Sequence, residues 1–515
     1  MQLLGEMLES TVRSFPQRTA VIFEGKEVDY RTFNQMVGRA AAGLSRIGIK
    51  PGDPVMEYMT NSLDFAVCHF ALIKLGAIAV PLNVMYKAQE IAYIAEDTGA
   101  GTLITEGKLL DTVIGLQQSI PALQSIISSG EGLPSGIVSL HSLMEGPPGE
   151  EFQAEKDLNN AGYDDIVSII YTSGTTGKPK GATQTHRSIL SNVLGLRPVD
   201  KFGPEDRLVC ALPLYNNFGL NVVMMSAFNC GACLVVLERF EAEKVLEAVS
   251  LHGGTCFFGT PTMYIYLLEK YDPTKYDVSS LRLVNCGGAP CPEEVARQFS
   301  NVFGAAFMNG YGQTEGCGFT TLIPLDGVRK SVSVGVPIAG TWIKIVDDDG
   351  KEMSRGQVGE IVEKGDVFSV HGYWRRPEIN QKVFKDGWFH SGDLGWLDED
   401  GYLYVVDRKQ DLIITGGQNI YPVEVEEVLY THPKVSMAAV IGIPDKVKGE
   451  LAKAYVVLKE GETATGEEII GYVRERIAKY KAPRSVEFVS TLPMGPTGKI
   501  LRRLLREQVN KTSRP

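Results

Sequence analysis

The chain has 515 residues, more than three times a typical domain of about 150, so at least two cores are expected. Its 44% hydrophobic and 22% charged residues exclude a disordered, collagen-like or disulfide-scaffold protein. With 51 Lys and Arg against 62 Asp and Glu, the net charge of −11 removes any global basic field for nucleic acid or an anionic bilayer.

The opening MQLLGEMLESTVR puts Glu6, Glu9 and Arg13 where an export signal would need an apolar stretch, so a cytoplasmic address is expected. Phe33, Met36, Val37, Ala40, Ala41, Leu44 and Ile47 recur at three- and four-residue steps and stop at Gly48, which predicts an amphipathic helix. A Pro51-Gly52 turn, a strand at Val55–Met59, a helix at Leu63–Leu75 and a strand at Ala77–Val80 continue the pattern. Residues 128–162 are polar and rich in Gly, Pro and Glu, a surface connection. The uncharged run Leu208–Leu237 is long enough for a bilayer, but Pro213, Asn216, Asn217, Gly219, Asn221 and Asn229 interrupt it. Buried strands and turns are predicted there, with no transmembrane segment. Within it Cys230 and Cys233 form a close pair, but no second pair or flanking His completes a ligand set, so both read as strand residues. A helix at Glu241–Leu251, a strand at Thr255–Phe258 and a helix after Pro261 resume the rhythm. The N-terminal domain is therefore expected to be α/β with mostly parallel, doubly wound sheets. From Ile343 short strands and tight turns predict a β-rich subdomain, and after the charged stretch Asp407–Asp411 a helix opens at Pro422. The expected division is 1–407, a hinge at 408–410, and a small α+β domain at 411–515.

One loop carries most of the chemistry. A buried strand, Ile166–Tyr171, runs into Thr172-Ser173-Gly174-Thr175-Thr176-Gly177-Lys178-Pro179-Lys180-Gly181. Glycines let main-chain N–H groups turn towards an anion, hydroxyls add donors, and Lys178 and Lys180 add charge. Neither the Walker A nor the GxGxxG spacing is present. The run is similar to the signature loop of the adenylate-forming superfamily, which includes acyl-CoA synthetases, peptide-synthetase adenylation domains and firefly luciferase. That family's other motifs follow in order, and the resemblance spans roughly residues 10–510.

The resemblance implies the following roles. Thr172, Ser173, Gly174, Thr175, Thr176, Gly177, Lys178 and Lys180 would hold ATP phosphates. In CGGAP, Gly287 would face the acyl chain and Gly288, Ala289 and Pro290 the nucleotide. In NGYGQTE, Asn309, Gly310 and Gly312 would surround Tyr311, stacked on adenine, with Thr314 at the α-phosphate. Glu315, together with Thr172, would sit beside Mg²⁺. Asp393 would accept from the ribose hydroxyls and Arg408 would contact ribose and phosphate. Asn216, Asn217, Gly310 and Cys317 would line the acyl site. Gly416, Gly417 and Lys481 would meet coenzyme A. Gln410 would be the hinge of a mobile C-terminal domain, and Lys499, with Thr172 and Glu315, would be catalytic. Two positions depart from the family pattern: Asn216 stands where His is common, and Gln410 where Asp or Lys is common. A carboxamide can donate a hydrogen bond but cannot carry charge.

A carboxylate is a poor acyl donor, so the resemblance implies activation by ATP to acyl-AMP with loss of pyrophosphate, then displacement of AMP by a thiol. Free CoA is expected as the thiol, with a carrier protein as the alternative. The run NNFGLNVVMMSAF and the small residues Gly316, Cys317 and Gly318 suggest a deep apolar pocket. A medium- or long-chain fatty acid is expected, with an aryl acid as runner-up. Arg474, Arg476, Lys479, Lys481 and Arg484 form a basic segment that suits CoA phosphates or a solvated face equally well. The partners implied are small molecules, without nucleic acid, and a homodimer is left open.

Overall fold

The computed structural model describes residues 2–145, 161–172, 179–330 and 332–512. Four sheets organise the described residues. The larger N-terminal sheet has nine strands, with a parallel centre of Ala306–Gln313, Leu283–Cys286, Cys256–Gly259, Arg207–Cys210, Cys233–Val236 and Thr19–Phe23. The second has seven strands, built on Thr102–Glu106, Pro54–Tyr58, Ile78–Pro81 and Ile166–Thr172, and closed by the antiparallel Lys180–Thr185.

Local chemistry sets the helices between them. Leu63–Leu75 starts where Ser62 Oγ accepts from the Phe65 N–H at 3.0 Å and stops at Gly76, whose φ of +73° suits glycine. This helix is buried on nearly every side because it lies between the two sheets and touches strands of both. Tyr30–Arg46 is capped by Asp29, which accepts from the Thr32 N–H at 2.7 Å. Its Phe33 packs on Phe228, in the helix Ser226–Cys230, with ring centres 4.7 Å apart.

The α/β architecture is as the sequence predicts, with one correction. In the uncharged run only Arg207–Cys210 and Cys233–Val236 are strands. Between them the backbone winds as a π-helix over Phe218–Met225 and as an α-helix over Ser226–Cys230. Asn216 starts it, its Oδ1 accepting from the Phe218 N–H at 3.0 Å. The Cys230 and Cys233 thiols are buried, and burial pushes both up to about 12.

A five-stranded sheet follows, from Thr341–Val346 to Leu403–Arg408, and a second five-stranded sheet begins at Ile413–Thr415. Residues 409–412 join them. The last domain packs on the first through Glu427, which accepts from the Glu293 N–H at 3.2 Å, and Ser436, which donates to Glu269 at 2.9 Å.

Candidate active site

The strands that flank the expected phosphate loop pair with each other, with Thr172 opposite Lys180. Ser173, Gly174, Thr175, Thr176, Gly177 and Lys178 lie outside the described residues. At its base the Lys180 ammonium stands 4.6 Å from the centre of the Tyr373 ring, a cation–π contact. The Tyr373 hydroxyl donates to Glu315 Oε1. Burial and the nearby Glu315 carboxylate push the Tyr373 phenol far up, so it stays a donor. Tyr373 is set in place by a short strap that pairs with the hairpin: the Thr183 N–H donates to Gly372 O at 3.0 Å and the Trp374 N–H to Gly181 O at 2.8 Å. The strap thus ties the β-rich subdomain to the strand that follows the expected phosphate loop.

The residues expected to hold the nucleotide come from the nine-stranded sheet and the five-stranded sheet that follows it. Tyr311 donates its hydroxyl to Asp393 Oδ2 at 2.8 Å, and Arg408 Nε lies 3.3 Å from Asp393 Oδ1. Gly312 must be glycine, because a Cβ there would stand 1.9 Å from the Gly318 carbonyl oxygen. Asn309 is buried on the same strand with its Oδ1 unpartnered. Gly288, at φ +79°, turns the chain after the Leu283–Cys286 strand and leaves Ala289 half-buried and Pro290 exposed. Beneath Tyr311, Gln313 donates to Glu363, a fully buried acid that burial raises to about 7.

Lys499 reaches this cluster from the last domain. Burial, reinforced by the Arg408 charge and opposed by Asp393, lowers its ammonium to about 8. Its loop touches the N-terminal domain: a Cβ on Gly498 would lie 2.9 Å from Thr260 Oγ1. That hydroxyl is buried without a partner, and the Thr260 methyl faces Gly288. A buried hydroxyl lacking a partner costs about 1–3 kcal/mol, so it is a ready donor for an incoming anion.

On the acyl side, Asn217 is buried among other carboxamides. It lies 2.8 Å from both Gln184 Nε2 and Asn221 Nδ2. Gln184 also donates to the Thr314 carbonyl at 3.1 Å, so this amide cluster abuts the residue expected at the α-phosphate. Asn216 has its oxygen committed to the helix cap, which leaves its NH₂ as the group it can offer. Cys317, at φ +59°, turns its thiol to Ser188 Oγ at 3.2 Å, and burial pushes that thiol up to about 12. Gly287 and Gly310 face the ring of Phe319.

Of the expected CoA and hinge residues, Gly416, Gly417 and Gln410 are exposed and Lys481 is half-buried. Gly416 and Gly417 have φ of +56° and +78°, with open space where a side chain would begin. Lys481 is held by both oxygens of Glu424, at 2.6 and 2.7 Å. Gln410 lies in an exposed turn closed by the Asp411 N–H donating to Arg408 O at 2.9 Å.

A profile of AMP-binding enzymes matches residues 8–374, and that of the AMP-binding enzyme C-terminal domain matches residues 424–499. The chain belongs to the AMP-binding enzyme family. It is 37% identical to feruloyl-CoA synthase of Amycolatopsis sp over 508 residues, 98% of this chain and 99% of that one. It is 34% identical to the long-chain-fatty-acid–CoA ligase FadD13 of Mycobacterium tuberculosis over 518 residues, 99% of each. Among solved structures, the anthranilate CoA ligase AuaEII in complex with anthranoyl-AMP superposes with a TM-score of 0.93 at 29% identity, covering 99% of this chain and 98% of that one.

In this AMP-binding enzyme four side chains at the site stand outside the motifs read from the sequence: Gln184, Thr260, Phe319 and Tyr373. Thr260 could have been found as the residue before Pro261, where a strand gives way to a helix. Tyr373, in HGYW, carries no local mark, because its role depends on a strap that pairs across nearly two hundred residues.

Proposed function

We propose that this AMP-binding enzyme is an ATP-dependent carboxylic acid–CoA ligase. It would convert acid and ATP to acyl-AMP and pyrophosphate, then acyl-AMP and CoA to acyl-CoA and AMP. The observation that carries the reading is that the last domain brings Gly498 against the unpartnered Thr260 hydroxyl of the first, with the neighbouring Lys499 ammonium in the field of Arg408 and Asp393. The names of the three relatives, each an acid–CoA enzyme, support CoA rather than a carrier protein as acceptor.

In the first half-reaction both partners are anions, and the task is to hold them in line and offset charge. Asp393 would take the ribose hydroxyls with Tyr311 beside it. Thr172, Thr314 and Lys180 would position the phosphates, and Lys499 would place its ammonium between the acid and the α-phosphate. Thr260 would donate to the acid carboxylate. The Thr172 hydroxyl and the second Glu315 oxygen are hard donors of the kind Mg²⁺ takes. Bound there, the ion would neutralise phosphate charge as pyrophosphate departs. For the second half-reaction the last domain would turn about Gln410 to bring Gly416 and Gly417 to the site.

A cytoplasmic location is part of this reading. So is a homodimer, which light scattering tests directly. The decisive assay is acid-dependent exchange of labelled pyrophosphate into ATP, followed by thioester and AMP formation when CoA is added. ADP and phosphate as products would sink the reading, and exchange without thioester would shift the acceptor to a carrier.

A further inference from the structure

The strip of backbone expected to line the acyl chain is already covered by a side chain of this protein. A Cβ on Gly287 would lie 2.3 Å from Phe319 Cε1, and one on Gly310 would lie 2.9 Å from the same ring. Both distances are below any van der Waals contact, so the two glycines serve to seat the Phe319 ring flush against the strands. Phe319 is only 4% exposed.

The ring does not stand alone. Phe218, at the head of the π-helix, meets it edge to face with centres 4.9 Å apart, and Phe258 meets Phe218 in turn at 6.4 Å. Phe258 precedes Gly259 and Thr260, so this aromatic wall begins within two residues of the orphan hydroxyl expected at the acid carboxylate. The backbone that carries Phe319 is held from behind. Asn192, fully buried, donates to the Gly316 and Phe319 carbonyls at 3.1 and 2.8 Å. Gly318, at φ +151°, has Asn192 and Val222 packed where its own Cβ would be.

We propose that Phe319 is the specificity-determining residue of the acid site: it closes the pocket at the Gly287–Gly310 strip. The enzyme then takes a compact acid, a single aromatic ring or a short chain, in place of a long fatty acyl chain. The inference rests on the acid–CoA ligase reading and narrows its substrate class. The aromatic wall favours a flat ring, which can meet Phe319 and Phe218 edge to face. A long chain would have to displace a side chain held from two sides in a packed interior.

The test is an acid panel of benzoate, hexanoate, dodecanoate and hexadecanoate, read as CoA-dependent AMP release by wild type, Phe319→Ala and Phe319→Leu. Wild type should show kcat/KM at least about tenfold higher for benzoate or hexanoate than for hexadecanoate. Phe319→Ala should raise dodecanoate relative to benzoate by about tenfold, through the KM for the acid and with the KM for ATP unmoved. Phe319→Leu keeps most of the volume and should shift the profile in the same direction by less. A wild type that prefers hexadecanoate overturns the proposal even if neither variant folds. So does a chain-length profile unchanged in folded variants, and in both cases the ligase reading survives. Wild type that releases no AMP and exchanges no pyrophosphate with any acid overturns both.

Discussion

Lys499 sits where its charge is hardest to keep. Burial and Arg408 lower it from 10.5 to about 8, so raising the pH removes the charge on which the proposed adenylation step rests. The kcat/KM for ATP in pyrophosphate exchange reports the free enzyme. It should fall as pH climbs through about 8. The stability term runs the other way: with the folded value below the unfolded one, the native state disfavours the proton, and this group's penalty is relieved as pH rises from about 8 towards 10.5. Lys499→Ala should cut acyl-adenylate formation by about 10² or more, the usual loss for one charge-stabilising donor. Thioester formation from supplied acyl-adenylate should persist, and equal loss of both halves would assign Lys499 to the whole cycle. Tyr373 offers a complementary test, since its hydroxyl holds Glu315 while its ring holds Lys180. Tyr373→Phe keeps the ring and loses a hydrogen bond to a carboxylate, so the KM for Mg·ATP should rise about tenfold with little change for the acid. An effect confined to the acid would place Tyr373 elsewhere in the reaction.

Among the elements, the helix over residues 218–230 joins stability to specificity. Asn216→Ala removes the cap on the Phe218 N–H, which should cost about 1 kcal/mol and lower Tm. It should also raise the KM for the acid more than that for ATP. If only the ATP value moves, the helix start does not face the acid. The same helix shows where sequence reading stops. Leu63–Leu75 was legible as a long, mostly apolar run that stops at Gly76. Phe218–Met225 was not, because it is buried on nearly every side and has no polar face to give a 3.6-residue period. Its one internal polar residue, Asn221, bonds inwards to Gln184 and Asn217, so it looked like an interruption. Motif residues such as Tyr311, Asp393 and Arg408 could be named from order along the chain, and the structure brings them together. Phe319 could not, because nothing in the sequence says which side chain will lie against Gly287.

At the scale of the whole molecule, the last domain is joined to the rest by residues 409–412, by polar contacts such as Glu427 to the Glu293 N–H and Ser436 to Glu269, and by buried Met437, Ile441 and Tyr455, which continue the core of the first. A domain that must leave one face and present another would have to part that apolar seam. Proline at 410 would fix φ near −65° and remove an N–H, so one of the two backbone states should become costly. Gln410→Pro should keep most acid-dependent pyrophosphate exchange while thioester synthesis falls steeply. Wild-type rates in both halves would remove Gln410 from the hinge. The α/β body was legible from periodicity, and the short strands of the β-rich sheet from the change of texture near Ile343. The packing of the last sheet on the first was not, since it rests on side chains far apart in sequence, such as Gly498 against Thr260.

The strap at Gly372–Trp374 has a consequence that reaches beyond catalysis. The amides of Thr183 and Trp374 each donate to the other's segment, so neither can be exposed to solvent unless the strap and the phosphate hairpin separate. They should therefore trade hydrogen for deuterium as one cooperative unit, with matched rates that slow together when ATP is added. Independent exchange of the two amides would mean that the β-rich subdomain and the phosphate hairpin breathe separately.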